Sequence, residues 1–293
     1  MNITELEKIT KQIKKYQLED EIRDIENWLR KLNEKQIKNL ISLEIYPLNK
    51  ISKPNFKYIL INQVALNNDY YLADMMLVNN AKSYKIARFL SSVACNKNSL
   101  ESKHHREDMK LISNAKSDVI ANYLSDLASS KTSLESKYHI EDMELISNAK
   151  NVAIADCLSS VASSKTSLES KYHREDMKLI SNAKSNVTAD YLSNVACNNN
   201  SLKSDYHREN MKRLANVKDD KDANEIYDNI IKQYEVKNKK NDVIYNIIKQ
   251  YKVKNKKDYV TFQEKIDAIH QNAIEYTDGD TTKELDDSVF TLK

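Results

Sequence analysis

An all-α repeat solenoid is the fold this sequence predicts, and three observations carry the prediction. The first is a period: Met109, Met143, Met177 and Met211 stand 34 residues apart, as do Ser99, Ser133, Ser167 and Ser201. The second is the spacing inside each period, where His139, Met143, Ile146 and Ala149 fall at i, i+4, i+7 and i+10, one face of a helix. The third is punctuation. Among 293 residues there is one glycine, Gly279, and two prolines, Pro47 and Pro54, too few for hairpins or phosphate-binding loops. Two amphipathic helices of about three turns cannot bury their stripes alone, but stacked on copies of themselves they can. A right-handed superhelix is expected.

Residues 1–65 read as an N-terminal helical cap and a degenerate first unit. Leu18, Ile22, Ile25, Leu29 and Leu32 follow helical spacing with Trp28 beside them. A coiled coil with another chain would need a sustained heptad, which is missing, so a cap is expected. Ile37, Ile41, Ile59 and Leu60 are apolar traces of the worn unit, and the proline-bearing "YPLNKISKPNF" at 46–56 is expected to be a loop or bend. The first residues mix both charge signs and hold no apolar leader segment. No run approaches the ~18–20 apolar residues of a membrane span. A cytoplasmic location is expected, with Cys95, Cys157 and Cys197 reduced. Cys95 and Cys197 share a repeat position that is Ser129 and Ser163 in the intervening units, which points to small-residue packing.

Residues 66–218 form the solenoid. "HHREDMKLISNAKS" at 104–117, "YHIEDMELISNAKN" at 138–151, "YHREDMKLISNAKS" at 172–185 and "YHRENMKRLANVKD" at 206–219 are successive copies, and "YYLADMMLVNNAKS" from 70 is a worn one. Ser136, matched by Ser102, Ser170 and Ser204, is the expected N-cap of the first helix. Asn148 and Lys150 stand where that helix should end. The second helix is expected over 152–163, with Ala155, Leu158, Val161 and Ala162 as its buried stripe. With its "YHxEDMxLISNAK…ANYLSxVA" units, the stretch 66–218 resembles the uncharacterised αα-repeat proteins of low-GC bacteria, a resemblance that implies no activity. It is similar to tetratricopeptide repeats in unit size only, since their Trp, Leu-Gly and late Pro markers are missing.

His105–Asp108, His139–Asp142 and His173–Asp176 are each three residues apart and can face each other on one helix turn, half a triad or half a metal site. Helices of successive units lie about 10 Å apart, whereas metal ligands converge to about 2 Å from one ion. Catalysis also wants one unique constellation, and this pair recurs. Packing between units is the expected role, with no catalytic residue, no metal and no cofactor. His104–His105, the sole histidine doublet, is the best metal suspect.

Charges form rows. Lys116, Lys150 and Lys184 line one near the inter-helix turn, and Arg106, Arg174 and Arg208 line another, interrupted by Ile140. Lys103–Glu107, Lys137–Glu141 and Lys171–Glu175 are expected i,i+4 pairs. These rows are the expected contacts for a protein partner, because solenoids bind along extended surfaces. Residues 219–257 are expected to form basic cap helices, with Ile230, Ile231, Tyr234, Ile247, Ile248 and Tyr251 inward. There "NIIKQYEVKNKK" at 229–240 returns as "NIIKQYKVKNKK" at 246–257, and nine lysines in 232–257 face only Glu235 and Asp242. Lys237, Lys239, Lys240, Lys254, Lys256 and Lys257, interleaved with Tyr234 and Tyr251, could instead follow a nucleic-acid backbone and stack bases. Residues 258–293 carry nine acidic residues against three lysines, an expected disordered acidic tail. The sequence thus points first to a non-enzymatic scaffold for a protein partner, and second to nucleic-acid binding through 232–257. Oligomeric state is open.

Overall fold

The computed structural model describes residues 3–18, 22, 24–43 and 53–234. Among them there is no strand, and helices pack on their neighbours in chain order, as an α-repeat solenoid requires. The chain divides into two units, Met1–Ile231 and Lys232–Lys293, and of the second only 232–234 lie among the described residues. The acidic tail and most of the lysine-rich duplication therefore lie outside them.

Each repeat has an A helix and a B helix. The A helices are Tyr71–Asn79, His105–Asn114, His139–Ser147, His173–Ser181 and His207–Ala215. The B helices are Tyr84–Ala94, Asp118–Ser129, Val152–Ser163 and Asn186–Cys197, followed by 220–234. The expected second helix is found over its whole span. A third element was not expected: a one-turn helix after each B helix, at Lys97–Glu101, Lys131–Leu134, Lys165–Leu168 and Asn199–Leu202. Caps explain it. Ser130 Oγ accepts the Ser133 N–H at 3.4 Å and Asn96 Oδ1 accepts that of Ser99 at 3.1 Å, so the chain starts a new turn as the B helix stops.

The A helix begins later than expected. Ser136 Oγ accepts the N–H of Tyr138, two residues on, which makes a tight turn rather than an N-cap, and the helix opens at His139. True side-chain caps sit on the B helices, where Ser83, Ser117, Asn151 and Ser185 each accept the N–H three residues ahead. These caps also link units: Ser83 Oγ donates to Asp118 at 2.5 Å and Ser185 Oγ to Asp220 at 2.6 Å.

The core repeats with the sequence. Met109, Met143, Met177 and Met211 are fully buried, and so are Ala155, Leu158, Val161 and Ala162. Each buried Leu or Val contributes about 1.5–3 kcal/mol of transfer free energy. The alanines let each B helix pack closely on the B helix of the next unit.

At the N-terminus the helix Ile3–Tyr16 buries Ile9, Ile13 and Tyr16. It stops at Gln17, which takes the left-handed φ of 53° usually given to glycine. The expected stripe from Leu18 to Leu32 is not one helix. Asp24 Oδ1 accepts the Asn27 N–H and starts a short helix, Ile25–Arg30, that buries no residue, while Leu18, Ile22 and Leu32 are buried from the segments around it. The worn stretch that follows folds in the same succession as a full repeat: Glu34–Ser42, Lys53–Ile61 and the one-turn Gln63–Leu66. Pro54 was expected in a loop but lies in the first turn of Lys53–Ile61, where a missing N–H costs nothing. Among the described residues no helix is long and apolar enough to cross a membrane.

Candidate functional site

The recurring histidine opens each A helix and turns its ring toward the preceding unit. His139 Nε2 lies 2.9 Å from Asp108 of the unit before, not beside Asp142 of its own helix. The expected pairing within one helix turn is therefore corrected to a pairing between units. Its distances repeat with little change: His105 Nε2 to Asp74, His173 Nε2 to Asp142 and His207 Nε2 to Asp176 are each 2.9 Å. The other ring nitrogen meets a serine of the one-turn helix. Nδ1 of His105, His139, His173 and His207 lies 2.7–3.0 Å from Ser99, Ser133, Ser167 and Ser201 Oγ respectively.

These are relays of aspartate, histidine and serine, one at each of four interfaces. With the carboxylate ionised, Nε2–H donates to it, and Nδ1 of a neutral ring accepts the serine O–H. A nucleophilic triad uses the nitrogens the other way round, with serine on Nε2 and aspartate on Nδ1. The serines are also sealed: Ser99, Ser133, Ser167 and Ser201 are at most 1% exposed, where no substrate reaches them. The relays satisfy buried polar groups and fix how far one unit slides on the next.

Aromatic shelves cover the relays. Tyr70 stacks on His105 at 5.7 Å between ring centroids, and Tyr138 and Tyr172 lie tilted against His173 and His207, each at 4.8 Å. His104, half of the doublet suspected as a metal site, fills the same place and lies 5.2 Å from the ring of His139. Burial and the nearby His139 lower its pKa from the ordinary histidine value. Both nitrogens of His105 are already bonded, so the doublet is a shelf beside a relay. Among the described residues no three His, Cys, Asp or Glu side chains converge to hold a metal ion.

Burial sets the electrostatics. It pushes Asp74, Asp142 and Asp176 above the usual aspartate value, and the histidine bonds pull them only part of the way back. Burial, with the Asp74 charge adding, raises the Cys95 thiol to about 12, and burial with Asp190 and Asp156 raises Cys157 to about 11. Protonated thiols in a packed interior are inert, in keeping with a packing role.

The two expected cation rows occupy opposite ends of the A helices, about 15 Å apart along the axis, and form two rails rather than one patch. Arg174 Nε donates to Glu141 of the preceding unit at 2.8 Å, and Arg208 Nη2 lies 2.8 Å from Glu175. Arg106 has no glutamate to meet and lies 5.6 Å from the Tyr70 ring centroid. Lys116 Nζ donates to the Asn148 carbonyl at 3.2 Å and Lys184 Nζ to that of Val217 at 3.3 Å, while Lys150 is exposed. The i,i+4 pairs expected of Lys137 and Lys171 give way to cation–π contacts, with Nζ 4.8 and 4.9 Å from the Tyr138 and Tyr172 rings. Within the repeats the i,i+4 pairs Lys97–Glu101, Lys131–Glu135 and Lys165–Glu169 form instead.

For the nucleic-acid residues the structure speaks to one. Tyr234 is 5% exposed, so its ring is not offered to a base, and Ile230 is buried as well. Lys237, Lys239, Lys240, Tyr251, Lys254, Lys256 and Lys257 lie outside the described residues.

The serines of the relay were missed as partners although their 34-residue period was plain. A covariation within the chain carried the signal: Tyr71, where the histidine would be, stands 31 residues after Leu40 and not after an aspartate, and Ala65 replaces the serine of the same unit. Asn210 replaces the aspartate in the last unit, and position 241 is Asn and not His. No protein-family model, no curated protein and no solved structure matches the chain.

Proposed function

We propose that this chain is a non-enzymatic helical-repeat scaffold that binds a protein partner along its rows of repeated side chains. One observation carries the reading: the polar groups that could do chemistry, His and Ser with Asp, are consumed in sealed relays at the unit interfaces. Left for the solvent are cations in the 34-residue register, Lys116, Lys150 and Lys184 on one rail and, with a gap at Ile140, Arg106, Arg174 and Arg208 on the other. Repeats held in fixed register present such rails as an extended docking surface. The test is co-precipitation with the full-length chain from its native lysate. K116E/K150E/K184E is expected to release a specific partner, while Gln at Lys237, Lys239, Lys240, Lys254, Lys256 and Lys257 retains it. The second reading, nucleic-acid binding, is favoured by the nine lysines of 232–257. It predicts that those six substitutions abolish salt-sensitive binding of labelled single-stranded RNA or duplex DNA, measured by fluorescence anisotropy.

A further inference from the structure

From Asp118–Ser129 onward the B helices carry a surface of opposite character. Their solvent side reads Asn122, Tyr123 and Asp126, then Asp156, then Asp190, Tyr191 and Asn194, with Asn224, Tyr227 and Asp228 on the last. Across Asp118–Ser129, Val152–Ser163 and Asn186–Cys197 there is no lysine or arginine at all. Neighbouring helices meet at the two ends of the strip. Burial and then the nearby Asp156 raise the Tyr123 phenol above its usual value, Tyr191 Oη donates to Asn224 Oδ1 at 2.5 Å, and the Tyr191 and Tyr227 rings stack at 4.2 Å. None of the ion pairs among the described residues includes Asp126, Asp156, Asp190 or Asp228.

The A helices show what this molecule sets against such groups. There Glu141 and Glu175 receive Arg174 and Arg208, while Tyr70, Tyr138 and Tyr172 have Arg106, Lys137 and Lys171 over their rings. The first B helix, Tyr84–Ala94, has Arg88 5.4 Å from its Phe89 ring centroid, but among the described residues no ion pair or cation–π contact involves Tyr123, Asp126, Asp156, Asp190 or Tyr191. We infer that the B-helix face is a second docking surface, separate from the lysine and arginine rails, for an extended lysine- or arginine-rich polypeptide. The partner's cations would sit between the carboxylates and the tyrosine rings, as the chain's own cations do on the A side. Spacing fixes the form of the partner. Neighbouring helices lie about 8–10 Å apart, and a chain in the polyproline II conformation advances about 3.1 Å per residue with three residues per turn, so that every third side chain faces the same way. One basic side chain in every third residue therefore meets one B helix after another.

The test uses the full-length chain and a fluorescein-labelled peptide with lysine at every third position, four lysines in all, titrated by anisotropy from low to physiological salt. D126N/D156N/D190N is expected to weaken binding at least tenfold at low salt, and Y123A/Y191A severalfold. E101Q/E135Q/E169Q removes the same number of charges from exposed sites elsewhere and is expected to stay within about twofold of the unsubstituted chain. Thermal melts of all variants check that they are folded. If both charge variants weaken binding equally, the peptide reads net charge and the surface is not a site. Failure of the peptide to bind, or unchanged binding by the aspartate variant, overturns the inference as well. Neither result touches the rails, whose partner is released by K116E/K150E/K184E and not by these substitutions.

Discussion

Two kinds of unit interface stand side by side in this chain. From the Tyr71 unit onward, each A helix meets the next through a buried relay, as Asp142, His173 and Ser167 illustrate. Before it, the worn unit offers Leu40 where the relay aspartate would be and Tyr71 where the histidine would be, both buried. The succession of long, long and one-turn helices is the same on both sides of that boundary. Stacking therefore does not need the relay. Apolar contact drives it, and the relay adds a directional bond that disfavours a slipped or missing unit. The difference also shows that aspartate and histidine occur together or not at all, as buried charge chemistry demands: one without the other leaves an uncompensated polar group in a dry interior.

The sharpest way to break this comparison is to remove one partner. Asp142→Ala leaves His173 buried without its acceptor and is expected to lower stability by about 3–5 kcal/mol, read by urea denaturation. Transplanting the N-terminal solution, D142L/H173Y, should recover most of that loss. A double variant no better than the single one would show that the relay is a requirement of these interfaces. Next in size is Ser167→Ala, which strands His173 Nδ1 but leaves the aspartate bond. A loss of about 1–3 kcal/mol is expected, and a neutral result would mean that the serine only fills space.

The smallest effect is a slope. Burial raises Asp74, Asp142 and Asp176 above the usual 3.8, so in the window just above 3.8 the folded chain holds protons that the unfolded chain has released. More protons on the folded side means that these groups make stability fall as pH rises from the unfolded value through the raised folded ones. Asp142→Asn should flatten that part of the melting-temperature profile. An unchanged profile would place the titration elsewhere.

Much of the array was legible in the sequence. The 34-residue period, the B helix at 152–163 and its stripe of Ala155, Leu158, Val161 and Ala162 follow from one-dimensional spacing, because a helix face is a local property. The one-turn helices were not legible, since four residues such as "KTSL" carry no periodicity. The N-terminal stripe misled for a related reason: Leu18 and Ile22 keep helical spacing, but the Asp24 cap starts a separate helix after them. At the candidate site the residue types were visible and their partners were not. His139 and Asp142 lie three apart in the chain, yet each bonds a residue 31 away in a neighbouring unit.

The sequence by itself determined that this is a helical repeat, its 34-residue period, and the buried stripe of its B helix, because amphipathic periodicity leaves a stripe only one way to escape water. Only the tertiary structure decided which aspartate meets which histidine, which lysines lie over tyrosine rings, and that the Tyr191 and Tyr227 rings of successive B helices stack. Those outcomes depend on the offset between stacked units, and that offset is set by packing across an interface that no single repeat contains.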